Sequence, residues 1–461
     1  MNKYLKYKKK IDESGFTPEL ISKIIHAHKE DAKRMKHLYD RYQVDEENGP
    51  AIFKRTEPLP NAFDSAPTVA RLDDKVNNQL NNSFDADIVD TKVGYLFGHP
   101  ISYSIDDTEG QFEKMQQVLE EFLLRNSTED EDSELGKMAT ICGYGARLLY
   151  IDLEGHERIK LIEPWQVIFI GDEIHAPTYS IRYYTEDGVQ YVECYDDTNI
   201  YFFEQDGSAF KATGEQPHLF DYNPLFGTAN NRELKGDAEK VLSLIDAYDK
   251  TTSDVSNEIE QLRLAYLIIK GAGIEQEDVK KVNQSGIFEL FGENDEIKYL
   301  TKDVNDTMIE NHLKRLEKNI LRFAKSVDFT SEEFGTSISG VALRFRLMAL
   351  ENKSITMERK FTSTLRYEMK VLFSAWAKRY GFNKEDYLKV FFVFKRNIPV
   401  NYLDEAQTSQ ALKGIVSEET RLSLLSFVDD VKYELEKMKA EEDAYSDRLG
   451  GLEDDGVDDE P

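Results

Sequence analysis

Apolar positions recur at steps of three and four along two stretches in the second half of the chain. On the first, Val241, Leu244, Tyr248, Thr252, Val255, Ile259, Leu262 and Tyr266 line one narrow helical face. On the second, Ile309, Leu313, Leu316, Ile320, Phe323 and Val327 step 4-3-4-3-4. This a/d-like seam is too narrow to bury a helix all round and suits packing against neighbouring helices. Between the two stripes, residues 265–304 read as a strand (265–270), a short helix (275–283) and two further strands (287–291 and 297–301), broken at Gly271, Gly273, Gly286 and Gly292. A module of about forty residues buries little surface alone. It is expected to complete its sheet with another copy of the chain.

Upstream, Thr17 and Pro18 supply an N-cap and a first helical residue for a helix running toward Tyr42. A loop over 46–66 and helices over 73–97, 111–125 and 134–144 follow. The period then changes to two, with strands at 148–152, 159–162, 167–170, 179–184, 191–195 and 200–203 separated by Glu154-Gly155, Asp187-Gly188 and Asp206-Gly207. That pattern predicts an antiparallel meander. Gly236-Asp237 marks the entrance to the first striped helix, with Asp237 and Glu239 acidic in its first turn. After the second striped helix, Asp328, Phe329, Thr330, Ser331, Glu332, Glu333, Phe334, Gly335, Thr336, Ser337, Ile338 and Ser339 form a polar, unpatterned loop. A proline-free helix over 340–380, stopped by Gly381, leads to a strand at 389–394 and to helices at 403–412, 417–427 and 431–448, with Ser417 as an N-cap. The fold class is α+β, mainly α.

Several fragments, in this order, resemble the portal proteins of tailed bacteriophages, of the kind common in siphoviruses of Gram-positive hosts. They are Ile88-Val89-Asp90-Thr91-Lys92-Val93-Gly94-Tyr95-Leu96-Phe97-Gly98-His99-Pro100-Ile101, Leu244-Ile245-Asp246-Ala247-Tyr248-Asp249, Val327-Asp328-Phe329-Thr330, Ser339-Gly340-Val341-Ala342-Leu343-Arg344, Arg396-Asn397-Ile398-Pro399 and Val416-Ser417-Glu418-Glu419-Thr420. The resemblance implies a portal-type subunit. Its parts would be a basic N-terminal tail (1–16), a mixed α/β wing (17–235), a first stem helix (236–264), a small β-containing clip (265–304), a second stem helix (305–327), a channel loop (328–339), a long helix with the last wing strand (340–398), a helical crown (399–448) and an acidic disordered tail (449–461). It also implies a homo-oligomeric ring, a dodecamer in the virion, at one capsid vertex, assembled in the host cytoplasm. Double-stranded DNA would pass through it without sequence readout during packaging and ejection. The implied partners are the terminase large subunit, a head-completion adaptor, and the major capsid and scaffolding proteins.

Charge changes this picture in two ways. With 58 Lys and Arg against 87 Asp and Glu, the chain carries a formal −29 and would not hold nucleic acid by bulk attraction. A ring would repel DNA from its wall, or the charge serves solubility alone. The four cations Lys314, Lys318, Arg322 and Lys325 instead lie at helical spacing beside the second seam. They either pair with Asp246, Asp249, Asp254 and Glu258 of a neighbouring first stem helix or face the channel. The five lysines of the first ten residues precede no apolar stretch, so they do not make a secretory signal, and a mobile tail is expected there. Residues 441–461 hold ten acidic side chains against Arg448, either excluding DNA at the ring mouth or acting as a solubilising end.

No apolar run reaches the roughly 18 residues a membrane helix needs, so no membrane association is expected. The two cysteines, Cys142 and Cys194, have no metal or disulfide spacing and read as buried structural residues of a protein folded in a reducing cytoplasm. Phosphate-cradle and H-E-x-x-H motifs are absent, the eight histidines are scattered, and close carboxylate pairs are what 87 acidic residues produce by chance. The reading is therefore non-enzymatic, with no catalytic residue, no metal and no cofactor, and any packaging energy comes from a partner. The alternatives are a non-ring structural adaptor or scaffold of the virion, or a carboxylate-dependent hydrolase.

Overall fold

The Thr17 side chain accepts the Leu20 amide and Pro18 opens the first turn, which starts helix α2, Pro18–Tyr42, where its sequence signals lie. Before it stands α1, Leu5–Ser14, in the segment expected to be a mobile tail. Tyr4, Tyr7 and Ile11 are buried with Ile168, Ile181, Val192 and Phe203, and the Tyr4 hydroxyl donates to Asp31 at 2.6 Å. Apolar groups at steps of three and four, set between the lysines, give the segment a face to bury, which the lysine count concealed.

The computed structural model describes residues 3–55, 77–106, 112–207, 209–262, 266–270, 296–300, 306–329, 340–398 and 402–425, with further positions as far as 441. Of these, 261–262, 266–270, 296–300, 340–342 and 402–404 are described by backbone alone. The chain divides into two units, Met1–Arg396 and Asn397–Pro461.

In the first unit, α3 (Phe84–Phe97) is followed by β1 (Ser102–Ile105), α4 (Phe112–Arg125) and α5 (Thr128–Cys142). The helix expected over 73–97 thus begins at Phe84. The asparagine-rich run before it is not helical, and its polar groups bond to another helix, described below. The β region makes two sheets rather than one meander. Strands β2 (Tyr144–Ile151), β3 (Glu157–Ile162) and β9 (Leu225–Ala229) pair in the order β3-β2-β9, while β4 (Val167–Ile170), β5 (Tyr179–Glu186), β6 (Val189–Tyr195), β7 (Asn199–Asp206) and β8 (Ala209–Pro217) form a five-stranded antiparallel meander. Two of these strands carry no period-two signal. β9 is buried throughout and β8 is almost wholly exposed, so neither alternates.

Helix α6 (Leu242–Leu262), strands β10 (Tyr266–Lys270) and β11 (Glu296–Leu300), and helix α7 (Asp306–Ala324) follow. The two strands pair antiparallel from Tyr266 opposite Leu300 to Lys270 opposite Glu296. The remainder of the expected clip, including its short helix and the strand at 287–291, lies outside the described residues. Helix α8, Gly340–Tyr380, runs through the core as a spine. Its Met357, Phe361 and Leu365 pack with Leu96, Phe97 and Leu135, and its Met369, Leu372, Phe373 and Trp376 pack with Met115, Leu119, Phe122 and Phe226. Each such side chain contributes about 1.5–3 kcal/mol by leaving water. Gly381 then takes φ +79°, in the left-handed region, and its amide bonds back to Ala377, which ends the helix. Strand β12 (Val390–Val393) returns to pair with β1.

The second unit holds α9 (Tyr402–Ala411) and α10 (Glu418–Leu422). The Ser417 side chain accepts the Thr420 amide, and the helix expected over 417–427 stops at Leu422. Residues 442–461 lie outside the described residues.

Candidate functional site

Helices α6 and α7 lean on one another and on α3 through Ile88, Ala238, Val241, Ile245, Ile320 and Ala324. The face of α6 that is buried within the chain is Val241, Ile245, Asp249, Ser253 and Asn257, a step of four at each position. Its polar half serves the extended run before α3. Asp249 accepts the Asn82 amide at 3.0 Å, Ser253 accepts the Leu80 amide at 2.9 Å, and Asn257 accepts the Asn78 amide at 2.7 Å. Three backbone donors that would otherwise be unsatisfied thus find side-chain acceptors.

Near the start of α6 and the end of α7, charges from distant elements converge. The Asp237 carboxylate meets the Lys353 ammonium at 2.9 Å, the Asn230 amide at 2.7 Å and Lys92 at 3.4 Å. The same Lys353 donates to the carbonyl oxygen of Ala324, the last residue of α7, at 3.0 Å. Burial alone would raise the Asp237 carboxyl, yet the charges of Lys92 and Lys353 and their hydrogen bonds, with that of Asn230, hold it at about 2. Burial pushes Lys92 down to about 8, with Lys353 adding to the effect and Asp237 opposing it. Beside this group, Arg41 forks onto Asp85 at 3.1 and 3.0 Å and reaches Asp246 at 2.8 Å, while Glu239 takes Arg34 at 2.8 Å and Lys235 at 2.6 Å. These pairs tie the start of α6 and the end of α7 to α2, α3 and α8, and breaking a buried pair from one side costs about 3–5 kcal/mol.

The residues singled out by the stripes separate into three groups. Val241, Leu316 and Ile320 are buried within the chain, Val241 and Ile320 in the cluster that joins α6, α7 and α3. Leu244, Tyr248, Val255, Ile309 and Leu313 are half-buried. Ile259 and Phe323 are exposed, at 60% and 56%. The side chain of Leu262 lies outside the described residues. Ile245, Asp237, Lys92 and Lys353 were missed. Lys92 lies one turn beyond Ile88, and Lys353 follows Leu347 and Leu350 at a step of three. A lone cation at a core position was the available signal.

Asp246 and Asp254 pair with Arg41 and Arg55 of the same chain, and Asp249 bonds to Asn82, so three of the four carboxylates expected to meet the basic stripe are engaged within the subunit. Lys314 pairs with Glu310 one turn back on its own helix, Lys318 is exposed, and Arg322 lies over the Phe323 ring at 5.9 Å. Lys325 has left the helix. It takes φ +55° as the Ser326 amide bonds to Leu321 and its own amide to Arg322, a Schellman-type end without glycine. Of the loop expected to line a channel, Asp328 and Phe329 are described and residues 330–339 are not. Asp328 lies close enough to Asp87 to help burial raise that carboxyl. Among the described residues no cluster of His, Cys, Asp or Glu could hold a metal ion, and no helix is long and apolar enough to cross a membrane.

Residues 21–448 match the family described as phage portal protein, SPP1 Gp6-like. The portal protein of Bacillus phage SPP1 is 23% identical over 428 residues, covering 86% of this chain and 83% of that protein. The portal protein of Clostridium phage phiCD119 is 24% identical over 398 residues, covering 79% of this chain and 85% of that protein.

Proposed function

The chain belongs to the SPP1 Gp6-like family of phage portal proteins, and from that premise we propose that it closes into a ring, a dodecamer in the virion, that conducts double-stranded DNA through one capsid vertex. The observation that carries the ring is the apolar surface left on a single subunit's stem: Ile259, Met308 and Phe323 are 60%, 70% and 56% exposed. Large apolar groups left exposed along one pair of helices call for a partner, and repetition of one contact by rotation gives a closed ring. The ring would be assembled in the host cytoplasm and built into the capsid with scaffolding and major capsid proteins. The terminase large subunit would drive DNA through it, and a head-completion adaptor would dock on it afterwards. Its role is to guide rather than to catalyse. With Asp246, Asp249 and Asp254 engaged at home, Lys314, Lys318 and Arg322 are assigned to the channel side, where they touch phosphates without reading bases.

We assign the constriction to residues 328–339, whose side chains include hydroxyls and two phenylalanines but no Lys or Arg. Mass measurement and negative-stain images of the purified protein test the ring: a closed cyclic oligomer is expected, and a monomer at assembly concentrations overturns it. Shortening the loop should leave rings intact while lowering packaged DNA. Unchanged packaging would remove the loop from this role.

A further inference from the structure

Helices α1 and α2 enclose an open groove of about 670 Å³ lined by Lys6, Tyr7, Lys10, Ser22, Lys23, His26 and Ala27. Lys6 and Lys10 are one turn apart on α1 and face Lys23 and His26 on α2, and all four are exposed. Neighbouring lysines have partners, Lys3 on Asp31 and Lys9 on Glu13. Among the described residues no carboxylate pairs with Lys6, Lys10 or Lys23. The groove is also preformed. Tyr7 and Ile11 anchor α1 in the core, and the Tyr179 hydroxyl donates to Asp12 at 2.8 Å.

We propose that this groove docks an acidic peptide segment of a partner protein, its carboxylates set between the lysines of α1 and those of α2. In a chain of formal charge −29, an acidic segment is repelled by most of the surface and held here, so long-range repulsion sharpens the address. The concave shape selects the class of partner. A duplex is a stiff rod that bends over about 150 base pairs and would meet only the rim, whereas single carboxylate side chains enter the groove.

The test is fluorescence anisotropy with a labelled oligoglutamate peptide on the full-length protein, at low and high salt. Binding that weakens with salt is expected, together with a loss of about tenfold, roughly 1.4 kcal/mol, in a Lys6→Glu, Lys10→Glu variant. Because both side chains are exposed, that variant should keep the wild-type circular dichroism and melting profile. A Lys29→Glu, Lys33→Glu control, with the same change in net charge outside the groove lining, should bind within about twofold of wild type. The proposal is overturned if the control loses as much as the groove variant, if inorganic phosphate at equal charge or a short DNA duplex competes as well as unlabelled oligoglutamate, or if the wild-type protein does not bind the peptide.

Discussion

Lys353 of α8 holds Asp237, just before α6, with 2.9 Å between ammonium and carboxylate. Its other bond, to the Ala324 carbonyl, reaches the end of α7. One side chain therefore ties α6 and α7 to α8. A cation at that helix end is also favoured by the dipole.

Lys353→Met should destabilise the subunit by about 3 kcal/mol, because Asp237 keeps only Asn230 and the more distant Lys92, and the carbonyl of buried Ala324 loses its donor. Paired with Asp237→Asn in a double-mutant cycle, the two changes should be non-additive by about 1–3 kcal/mol. Urea denaturation of the four proteins measures this. Additive effects would show that the contact carries no coupling.

The acid limb of stability should also depend on Asp237. Its carboxyl is held at about 2, below the ordinary 3.8, so the folded chain takes up that proton at lower pH than the unfolded chain does. The resulting stabilisation is complete above about pH 4 and lost as pH falls toward 2, an amount of about 2 kcal/mol. In Asp237→Asn that component should vanish, leaving a shallower stability profile between pH 4 and 2 than in the wild type. Parallel profiles would contradict the assignment.

The elements that were legible in the sequence are those whose burial is periodic. The stripe on the second stem helix, the meander strands at Tyr179, Tyr191 and Ile200, and the long helix stopped by Gly381 announce themselves within a few residues. The site is another matter. Lys92 and Asp237 lie 145 residues apart, each a single charge among apolar or loop neighbours, and nothing local says that they meet. The first stem helix misled in a different way. Its most apolar stripe is not its buried face, because Asp249, Ser253 and Asn257 bury by bonding to the backbone of residues 78–82. Hydrophobic periodicity does not register a polar face that is satisfied by another segment. The α1 helix was hidden by its lysines, whose charged ends reach solvent while Tyr4, Tyr7 and Ile11 go inward.

Lys325 offers a cheap test of local strain. It sits at φ +55° just past the second stem helix, a conformation that glycine adopts without steric cost. Lys325→Gly should stabilise the subunit by about 0.5–1 kcal/mol, read as a higher urea midpoint. If Lys325 also touches passing DNA, packaging by the variant should fall while rings stay normal. A variant less stable than wild type would show that the side chain contributes more than the strain costs.

The stem supplies the sharpest contrast between folding and assembly. Leu316 and Ile320 are buried inside the subunit, so replacing both with aspartate should damage the hairpin itself, by several kcal/mol for each uncompensated charge. Ile259 and Phe323 lie on the same two helices but are exposed, so Ile259→Asp with Phe323→Asp should leave the subunit's thermal unfolding within about 1 kcal/mol of wild type. If Ile259 and Phe323 join the subunits of a ring, as proposed, those two aspartates would be repeated at every subunit contact and buried without partners. The exposed pair should therefore give a folded monomer, and the buried pair a destabilised chain, as read by mass measurement beside circular dichroism. Normal rings from the Ile259, Phe323 double variant would show that this face of the stem is not the one that joins the subunits.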